Sequence, residues 1–286
     1  MSNFKTGLVM EGGGMRGMFT AGVIDVFMEN GIVFEGAIGV SAGATFGCNY
    51  KSKQIGRAIR YNKRFSHHPK YGSFFNWIKR GNLYDPEFCY DILPHKLDVF
   101  DLETYRKNPM EFYVVASDCE TGNPIYKKLE TCDERELVWM RASASIPFVS
   151  KIVEVDGYKL LDGGMTDSIP LQYFERLGYN RNIVILTQTR SFEKKTTSMM
   201  GLIKQSLRKY PKVVESMKNR AQKYNSEKNY IFKKESLGEL IVICPPEGFR
   251  MNRLEHNPRK LQLCYEIGRH SALEKINQIK EFLKQE

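Results

Sequence analysis

The sequence predicts an α/β fold with three layers, α/β/α, and a mainly parallel central sheet. Within residues 1–50, short apolar runs that suit buried strands alternate with segments of helical periodicity. Similar apolar runs recur at 111–117, 181–188 and 239–244, with helical segments between them. Alternation of strands and helices is typical of parallel sheets covered on both faces, and these two observations therefore indicate the fold class.

The length predicts a single domain over residues 1–286, because 286 residues lie near the upper limit for one hydrophobic core. Within it, the motifs described below lie in 5–170, and basic helices, a last strand and a closing helix fill 190–286. No apolar run approaches the ~20 residues that cross a bilayer, and no signal-peptide core begins the chain. We therefore expect a cytoplasmic protein.

The cysteines indicate reduced thiols. Six are present, scattered along the chain and without a C-x-x-C pair. This spacing argues against a zinc site and against a disulfide framework.

The net charge of +10 comes from one segment, 190–234, which carries thirteen Lys or Arg residues against three Glu. Apolar residues at helical spacing give this segment two amphipathic helices with basic faces. Basic amphipathic helices are attracted to anionic membranes, so we expect peripheral contact with the inner membrane surface. The alternative is a pair of packed helices with a solvated basic side. Nucleic acid binding is not expected, since no recognised module is present.

The chain begins with a predicted strand, Lys5–Met10, which leads into the glycine-rich loop Glu11–Gly17 and then a helix that ends at Asn30. Adjacent backbone amides without side chains, at the start of a helix, can hold an oxyanion. The pattern Gly12-x-Gly14-x-x-Gly17 also fits a dinucleotide fingerprint, with Glu35 near the ribose position. However, that acid should close the second strand, and the apolar run here continues to Val40.

A serine follows the second strand within Gly39-Val40-Ser41-Ala42-Gly43. A G-x-S-x-G sequence between a strand and a helix predicts a sharp turn that exposes the serine hydroxyl, and small neighbours are needed in so tight a bend. The helix start beside Ser41 favours developing negative charge. An ordinary Gly/Ser turn is the alternative.

The middle of the chain predicts a helix over 54–65, a loop at His67-His68 and an aromatic segment, 71–81. The aromatic segment suits either a lid or the core contacts of a short helix, and core contacts are the more frequent use of such residues. Its main apolar residues are Phe74, Phe75, Trp77 and Ile78.

The next stretch predicts a strand over 111–117, with Asp118 capping a turn or belonging to a site, and a helix over 133–144. Ser143 and Ser145 lack the serine-turn pattern, so neither is expected to be a nucleophile. Two extended runs around Asp156-Gly157 predict a hairpin. Its second strand would deliver Asp162 to the sheet edge that carries Ser41. A helix over 170–178 and a closing helix over 258–285 complete the prediction.

Together these motifs resemble the patatin-like phospholipase family, whose signature joins a G-G-G-x-R-G loop, G-x-S-x-G and a later Asp-Gly-Gly. The matching segments are Gly12–Gly17, Gly39–Gly43 and Asp162–Gly164, with the run from Ala142 to Pro147 also typical of the family. The resemblance implies Ser41 as nucleophile and Asp162 as its base. It implies an oxyanion hole formed by Gly12, Gly13, Gly14, Met15, Arg16 and Gly17. Supporting glycines would be Gly39, Gly43, Gly163 and Gly164.

The function implied is a serine hydrolase that cleaves carboxylic esters of lipids with no metal or cofactor. A Ser-His-Asp triad would need His256 or His270, and neither lies in a motif. Desolvation can raise the basicity of a carboxylate, which makes a Ser41–Asp162 dyad sufficient. The role of Arg16, steering an anionic head group or bracing the loop, stays open. The alternatives are a nucleotide- or phosphate-binding protein and a carboxylesterase of non-lipid substrates.

Overall fold

Eight strands form one sheet within residues 4–284, which the computed structural model describes except for the side chains of Phe74 and Phe75. The strands are β1 Lys5–Met10, β2 Gly36–Val40, β3 Glu111–Asp118, β4 Pro124–Leu129, β5 Val153–Val155, β6 Tyr158–Asp162, β7 Tyr179–Ile185 and β8 Leu240–Ile243.

The sheet is mainly parallel in its centre, in the order β5-β6-β3-β2-β1-β7-β8. Strands β1, β2, β3, β7 and β8 run parallel, whereas β4, β5 and β6 pair antiparallel at one end of the sheet. Strands β2 and β6 follow each other along one edge of β3, and β4 occupies the other edge. Val40, the last residue of β2, pairs with Val115, and Asp162, the last residue of β6, pairs with the next residue, Ala116.

Helices cover the sheet. They are α1 Met18–Glu29, α2 Ala42–Lys51, α3 Arg57–Phe65, α4 Phe74–Arg80, α5 Leu102–Lys107, α6 Glu134–Ser143, α7 Leu171–Arg176, α8 Met200–Ser206, α9 Pro211–Ser236 and α10 Pro258–Lys284. A π-helix spans Phe88–Leu97, and short 3-10 turns span Gly14–Gly17 and Gly163–Met165. Within residues 4–284, none of the helices combines the length and apolarity that crossing a bilayer requires.

The two faces of the sheet carry separate hydrophobic cores, as the period of two along a strand requires. Leu8 and Met10 of β1 pack with α1, α2 and α10, while Val9 between them packs with α7 and α9. This arrangement of helices, sheet and helices confirms the predicted α/β/α fold.

Most predicted elements are present, with ends shifted by a few residues. The closing helix begins at Pro258 as predicted, and its expected last residue, Gln285, lies outside the described residues. Neither β4 nor the π-helix was predicted. Strand β4 is only partly buried and contains two consecutive lysines, so its sequence lacks a buried alternating face.

Two acidic residues serve turns, as expected. Asp118 accepts hydrogen bonds from the backbone amides of Glu120 and Thr121 at 3.1 and 3.3 Å. Asp156 and Gly157 have φ angles of 52° and 81°, which is the conformation of a tight two-residue hairpin turn. The Asp-Gly pair therefore forms the turn of the β5–β6 hairpin, as predicted.

Helices α1 and α10 touch through their backbones. A Cβ atom at Gly22 of α1 would overlap the carbonyl oxygen of Tyr265, and a Cβ at Gly268 of α10 would overlap that of Phe19. Glycine is thus required at both positions because the opposing atoms belong to rigid helical backbone. This contact fixes α10 over the helix that follows the glycine-rich loop.

We predict that Gly22→Ala lowers the free energy of unfolding by about 1–3 kcal/mol, since the added methyl group forces the two helices apart. Gly201→Ala is the matched control, because a Cβ at Gly201 of α8 meets no atom within 4 Å. It should be neutral or stabilise the protein slightly through helix propensity. Urea unfolding followed by circular dichroism measures both, and equal stability of the two variants would contradict the prediction.

Candidate active site

Ser41 lies in a sharp turn between β2 and α2, as predicted. Its φ of 54° lies in the left-handed region, which is rare for a residue other than glycine. A Cβ at Gly39 would lie 2.5 Å from the carbonyl carbon of Gly43, and one at Gly43 would collide with the carbonyl oxygen of Met10. Both flanking positions therefore need glycine for the turn to close.

Ser143 holds this turn in place, a role that the sequence did not reveal. The backbone N–H of Ser41 donates to Oγ of Ser143 at 2.9 Å, and Ser143 is fully buried at the end of α6. Ser143 was correctly set aside as a nucleophile. Its place in the small-residue run from Ala142 to Pro147 was the one signal that could have identified it.

Asp162 is held rigidly beside Ser41. Its backbone N–H donates to the carbonyl of Ser145 at 2.8 Å, and its carbonyl accepts from Oγ of Ser117 at 2.8 Å. Oδ1 accepts the backbone N–H of Gly164, also at 2.8 Å. Gly163 packs so tightly that a Cβ would overlap the carbonyl oxygen of Val115. The Asp-Gly-Gly turn thus aims the carboxylate at Ser41.

Burial raises the pKa of the Asp162 carboxyl above its usual value. The hydrogen bond with the Ser41 side chain and the positive charge of Arg220 act in the opposite direction without cancelling the effect of burial. A carboxylate with a raised pKa is a stronger base than one in water. A serine hydroxyl and a carboxyl group with a raised pKa thus lie within interaction range of each other.

The glycine-rich loop runs alongside Ser41. A Cβ at Gly12 would lie 3.1 Å from the Cβ of Ser41, so the loop passes directly over the serine. The backbone amides of Gly12, Gly13 and Gly14 make no hydrogen bond to another described residue. Three free N–H groups beside a hydroxyl are suited to an oxyanion.

The other residues of the predicted oxyanion hole, Met15, Arg16 and Gly17, have different surroundings. The N–H of Met15 donates to the carbonyl of Arg253 at 2.9 Å, so inclusion of the Met15 amide was wrong. A Cβ at Gly17 would lie 2.8 Å from the Cβ of Ala42, so this glycine allows close packing of α2. Arg16 is buried, and its Nε has no hydrogen-bond partner among the described residues.

Two residues that the sequence analysis passed over anchor the loop. The carboxylate of Glu11 is buried and accepts the backbone N–H of Thr187 at 2.6 Å and its hydroxyl at 3.1 Å. The same hydroxyl donates to the carbonyl of Gly12 at 3.3 Å. Thr187 follows β7, the strand beside β1, so the anchor depends on strand pairing and has no local signal.

The geometry disfavours a dinucleotide site. Glu35 precedes β2, and its carboxylate accepts the backbone N–H of Thr6 at 2.7 Å. It therefore lies at the amino end of the parallel strands, whereas the glycine-rich loop lies at their carboxyl end. A ribose-binding acid must follow the second strand.

Comparison with known proteins gives the family. The model for the patatin-like phospholipase family matches residues 8–175, which is more than half of the chain. The chain belongs to the patatin-like phospholipase family.

Relatives of this patatin-like chain include proteins with and without an assigned activity. An uncharacterized protein, YjjU of Escherichia coli, is 30% identical over 188 residues, covering 64% of this chain and 52% of that protein. The lysophospholipase NTE1 of Phaeosphaeria nodorum is 27% identical over 204 residues, covering 69% of this chain but 13% of that protein. The chain thus spans about half the length of the first relative and a small part of the second. The crystal structure of VipD from Legionella pneumophila superposes with a TM-score of 0.46 at 12% identity, covering 97% of this chain and 67% of that one.

The C-terminal part of the chain matches a second family model, a domain of unknown function (DUF6363), over residues 210–284. It contains β8, which extends the patatin-like sheet beside β7, and α10, which packs on α1. The prediction of one domain over 1–286 stays a prediction.

Two cavities meet at Ser41. One, of about 300 Å³, is mostly apolar and lies between α2, the π-helix and α6. Its lining includes Phe46, Tyr61, Tyr84, Leu93, Phe100 and Met140. The other, of about 430 Å³, is lined by the glycine-rich loop, Asp162 and several cations. A π-helix often marks a functional site, and here it forms one wall of the apolar cavity.

The histidines and the aromatic segment lie apart from Ser41. No histidine of residues 4–284 lines either cavity, and His270 is exposed on α10. Within the described residues, no group of three or more His, Cys, Asp or Glu side chains is arranged so that it could hold a metal ion. In the aromatic segment, Trp77 donates to the carbonyl of Phe148 at 2.9 Å, whereas Ile78 is 67% exposed. Trp77 is only partly buried. The interpretation as core contacts therefore fails for Ile78 and stays a prediction for Trp77; the side chains of Phe74 and Phe75 lie outside the described part.

We predict that Ser143→Ala lowers the free energy of unfolding by about 1–3 kcal/mol, because the N–H of Ser41 loses its buried acceptor. Ser145→Ala is the control: it removes a hydroxyl that donates to a helix carbonyl at 2.8 Å and should cost less than about 1 kcal/mol. Urea unfolding measures both. Wild-type stability of Ser143→Ala would show that the hydrogen bond does not support the turn.

Proposed function

We propose that this chain is a serine hydrolase that cleaves carboxylic ester bonds of lipids, with Ser41 as nucleophile and Asp162 as general base. One observation carries the proposal: Ser41 and the buried Asp162 carboxyl group lie within interaction range of each other, where an apolar and a cationic cavity meet. Membership of the patatin-like phospholipase family supports it, as does the lysophospholipase named among the relatives.

In the first half of the reaction, Asp162 accepts the proton of Ser41 as Oγ bonds to the carbonyl carbon of the ester. The electron pair of the C=O bond moves onto its oxygen, and the amides of Gly12, Gly13 and Gly14 donate to this oxyanion. Each such donor is worth about 2.7–4 kcal/mol in the transition state. The tetrahedral intermediate then collapses, and the departing alcohol takes the proton from Asp162, which leaves an acyl group on Ser41.

In the second half, Asp162 accepts a proton from water as the water oxygen bonds to the acyl carbon. The same amides hold the second oxyanion. Collapse of this intermediate releases the carboxylic acid, and the proton returns from Asp162 to Oγ of Ser41. Asp162 therefore serves as base and acid in turn, and the reaction needs no histidine.

The apolar cavity favours a lipid over a small soluble ester as substrate. Its aromatic and aliphatic walls exclude water and suit an acyl chain, and its volume lies in the range of ligand pockets. We propose hydrolysis of the phospholipase A or lysophospholipase type. A carboxylesterase of non-lipid substrates is the competing function, and it would turn over short-chain esters at least as well as long-chain ones.

We predict that Asp162→Asn lowers kcat by a factor on the order of 10³, because the amide cannot accept the proton of Ser41. His256→Ala and His270→Ala are the controls and should keep wild-type rates. Hydrolysis of a long-chain ester measures all three, and covalent labelling by a fluorophosphonate should require Ser41. An inactive histidine variant that still folds and binds substrate would replace the dyad with a triad.

We also propose that part of the basic segment 190–234 contacts anionic membranes. Several of its cations serve the fold: Lys228 donates to the carbonyls of Arg190 and Phe192, and Lys234 pairs with Glu175 at 2.8 Å. Others are exposed around Met199 and Leu202, which are themselves 42% and 46% exposed. The exposed cations of the segment are Arg190, Lys195, Lys204, Arg208, Lys209, Lys212, Lys218, Lys223 and Lys233. Exposed apolar residues among cations suit a headgroup surface.

We predict that the double variant Lys204→Gln, Arg208→Gln binds anionic vesicles more weakly by about 2 kcal/mol, since each cation near the surface contributes about 1 kcal/mol. The double variant Lys53→Gln, Lys96→Gln removes two exposed cations from other elements and should bind as the wild type does. Vesicle sedimentation with and without anionic lipid measures binding. Equal binding of the wild type to neutral and anionic vesicles would rule out this role.

A further inference from the structure

Five cations gather around the cavity that lies on the polar side of Ser41. Lys194, Arg220 and Arg253 line it together with Ser41 and Asp162, as does the exposed Lys195. Arg16 lies within electrostatic range of Lys194, Arg220 and Arg253. The cavity, of about 430 Å³, is also bounded by the glycine-rich loop with its free amides.

These cations lack acidic partners. Within residues 4–284, none of the five forms an ion pair within 4.0 Å. Two of the nearby acids, Glu11 and Asp162, are held by hydrogen bonds to Thr187 and to Gly164. A third, Glu227, lies within electrostatic range of Lys194 but forms no ion pair with it. The Nε atom of Arg16 is buried without any partner. Arg16 is buried, Lys194 and Arg220 are partly buried, and Arg253 is exposed. Because cations that share a cavity without paired acids repel one another, this cluster is suited to binding an anion.

Burial and mutual repulsion lower the pKa values of two of these cations. Burial, followed by the charge of Arg253, lowers the pKa of Arg16 to about 10. Burial, followed by the charge of Arg220, lowers the pKa of Lys194 well below its usual value. An anion placed among them would relieve this repulsion and gain several charge-assisted hydrogen bonds.

The position of the cluster indicates which anion fits. An ester whose acyl chain fills the apolar cavity places its carbonyl at Ser41, and its alcohol part then points into the cationic cavity. In a glycerophospholipid, the alcohol part carries a phosphate a few bonds from the ester oxygen. Arginine guanidinium groups match phosphate oxygens in charge and geometry.

We propose that Lys194, Arg220 and Arg253 form a subsite that binds the phosphate group of a glycerophospholipid substrate next to Ser41. The proposal rests on the hydrolase function proposed above and narrows its substrate class. Arg220 and Arg253 lie outside residues 8–175, in the segment matched by the domain of unknown function. The subsite therefore gives that C-terminal segment a part in substrate recognition.

Arg253 is the best residue for a test. Its carbonyl oxygen accepts the N–H of Met15, a main-chain contact that a substitution retains, whereas its side chain is exposed at the cavity. Arg220 is less suitable because its Nε donates to the carbonyl of Gly164, so its loss would also disturb the Asp162 turn. Arg250 lies in the same loop, is exposed and lines neither cavity, which makes it the matched control.

The experiment compares two soluble esters that differ only in a phosphate, hexanoyl glycerophosphate and monohexanoylglycerol, below their aggregation concentrations. We expect the wild type to prefer the phosphate-bearing ester in kcat/KM. In Arg253→Ala this preference should fall about tenfold, mainly through KM, as one charge-assisted contact is lost. Arg253→Lys should restore part of the preference, and Arg250→Ala should leave both rates and their ratio unchanged.

Two results would overturn the proposal: a wild type that does not distinguish the two esters, or an Arg253→Ala variant that keeps the full preference. Inorganic phosphate is the further probe. If it inhibits hydrolysis of both esters while the esters are not distinguished, the cavity binds free phosphate and the headgroup subsite is wrong.

Binding to an inactive protein separates this proposal from the proposed reaction. Titration calorimetry of hexanoyl glycerophosphate into Ser41→Ala should give a Kd about tenfold lower than for Ser41→Ala, Arg253→Ala. Such a difference without any hydrolysis by the wild type would refute the reaction and support the subsite. Hydrolysis by the wild type without this difference in Kd would support the reaction and refute the subsite.

Discussion

The left-handed backbone of Ser41 is the constraint on which the rest of the structure depends. A serine keeps a φ of 54° only where its surroundings hold it there. The surroundings here are α2, which approaches β1 closely enough that only glycine fits at position 43, and α6, whose Ser143 accepts the Ser41 amide. The turn thus links the centre of the sheet to helices that come from distant parts of the chain.

The edge of β3 brings Ser41 and Asp162 close together. Strand β2 ends against Val115, and β6 arrives from the opposite direction to end against Ala116. Two strands that run in opposite directions therefore deliver Ser41 and Asp162 to neighbouring positions on a third. Because the register is fixed by backbone pairing, neither side chain has to reach far, and the carboxyl group can be buried while it stays within interaction range of the hydroxyl. This burial raises the basicity of Asp162, which suits the base proposed for the dyad.

The two cavities that meet at Ser41 differ in polarity. Aromatic and aliphatic side chains line the cavity on one side of Ser41, and cations line the cavity on the other. An amphipathic ester would be oriented by this division alone, with its acyl chain and its polar part on opposite sides of the serine. Two cations of that side, Arg220 and Arg253, come from the C-terminal segment, whose strand β8 and helix α10 extend the sheet and pack on α1. The same segment thus contributes both to the sheet and to the proposed recognition of substrate.

The sequence by itself determined the elements whose backbone tolerates few residue types. The Gly39–Gly43 turn, the glycine-rich loop and the Asp156-Gly157 hairpin are local, and glycine reveals each of them because only a residue without a Cβ fits there. The α/β alternation likewise determined the fold class. Only the tertiary structure decided which contacts the loop amides and the cations make. The carbonyl oxygen of Arg253 accepts the N–H of Met15, and the N–H of Thr187 donates to the carboxylate of Glu11. Arg220 lies within electrostatic range of Asp162. These contacts join residues far apart in the chain, and their positions follow from strand register and helix packing, which leave no local pattern in the sequence.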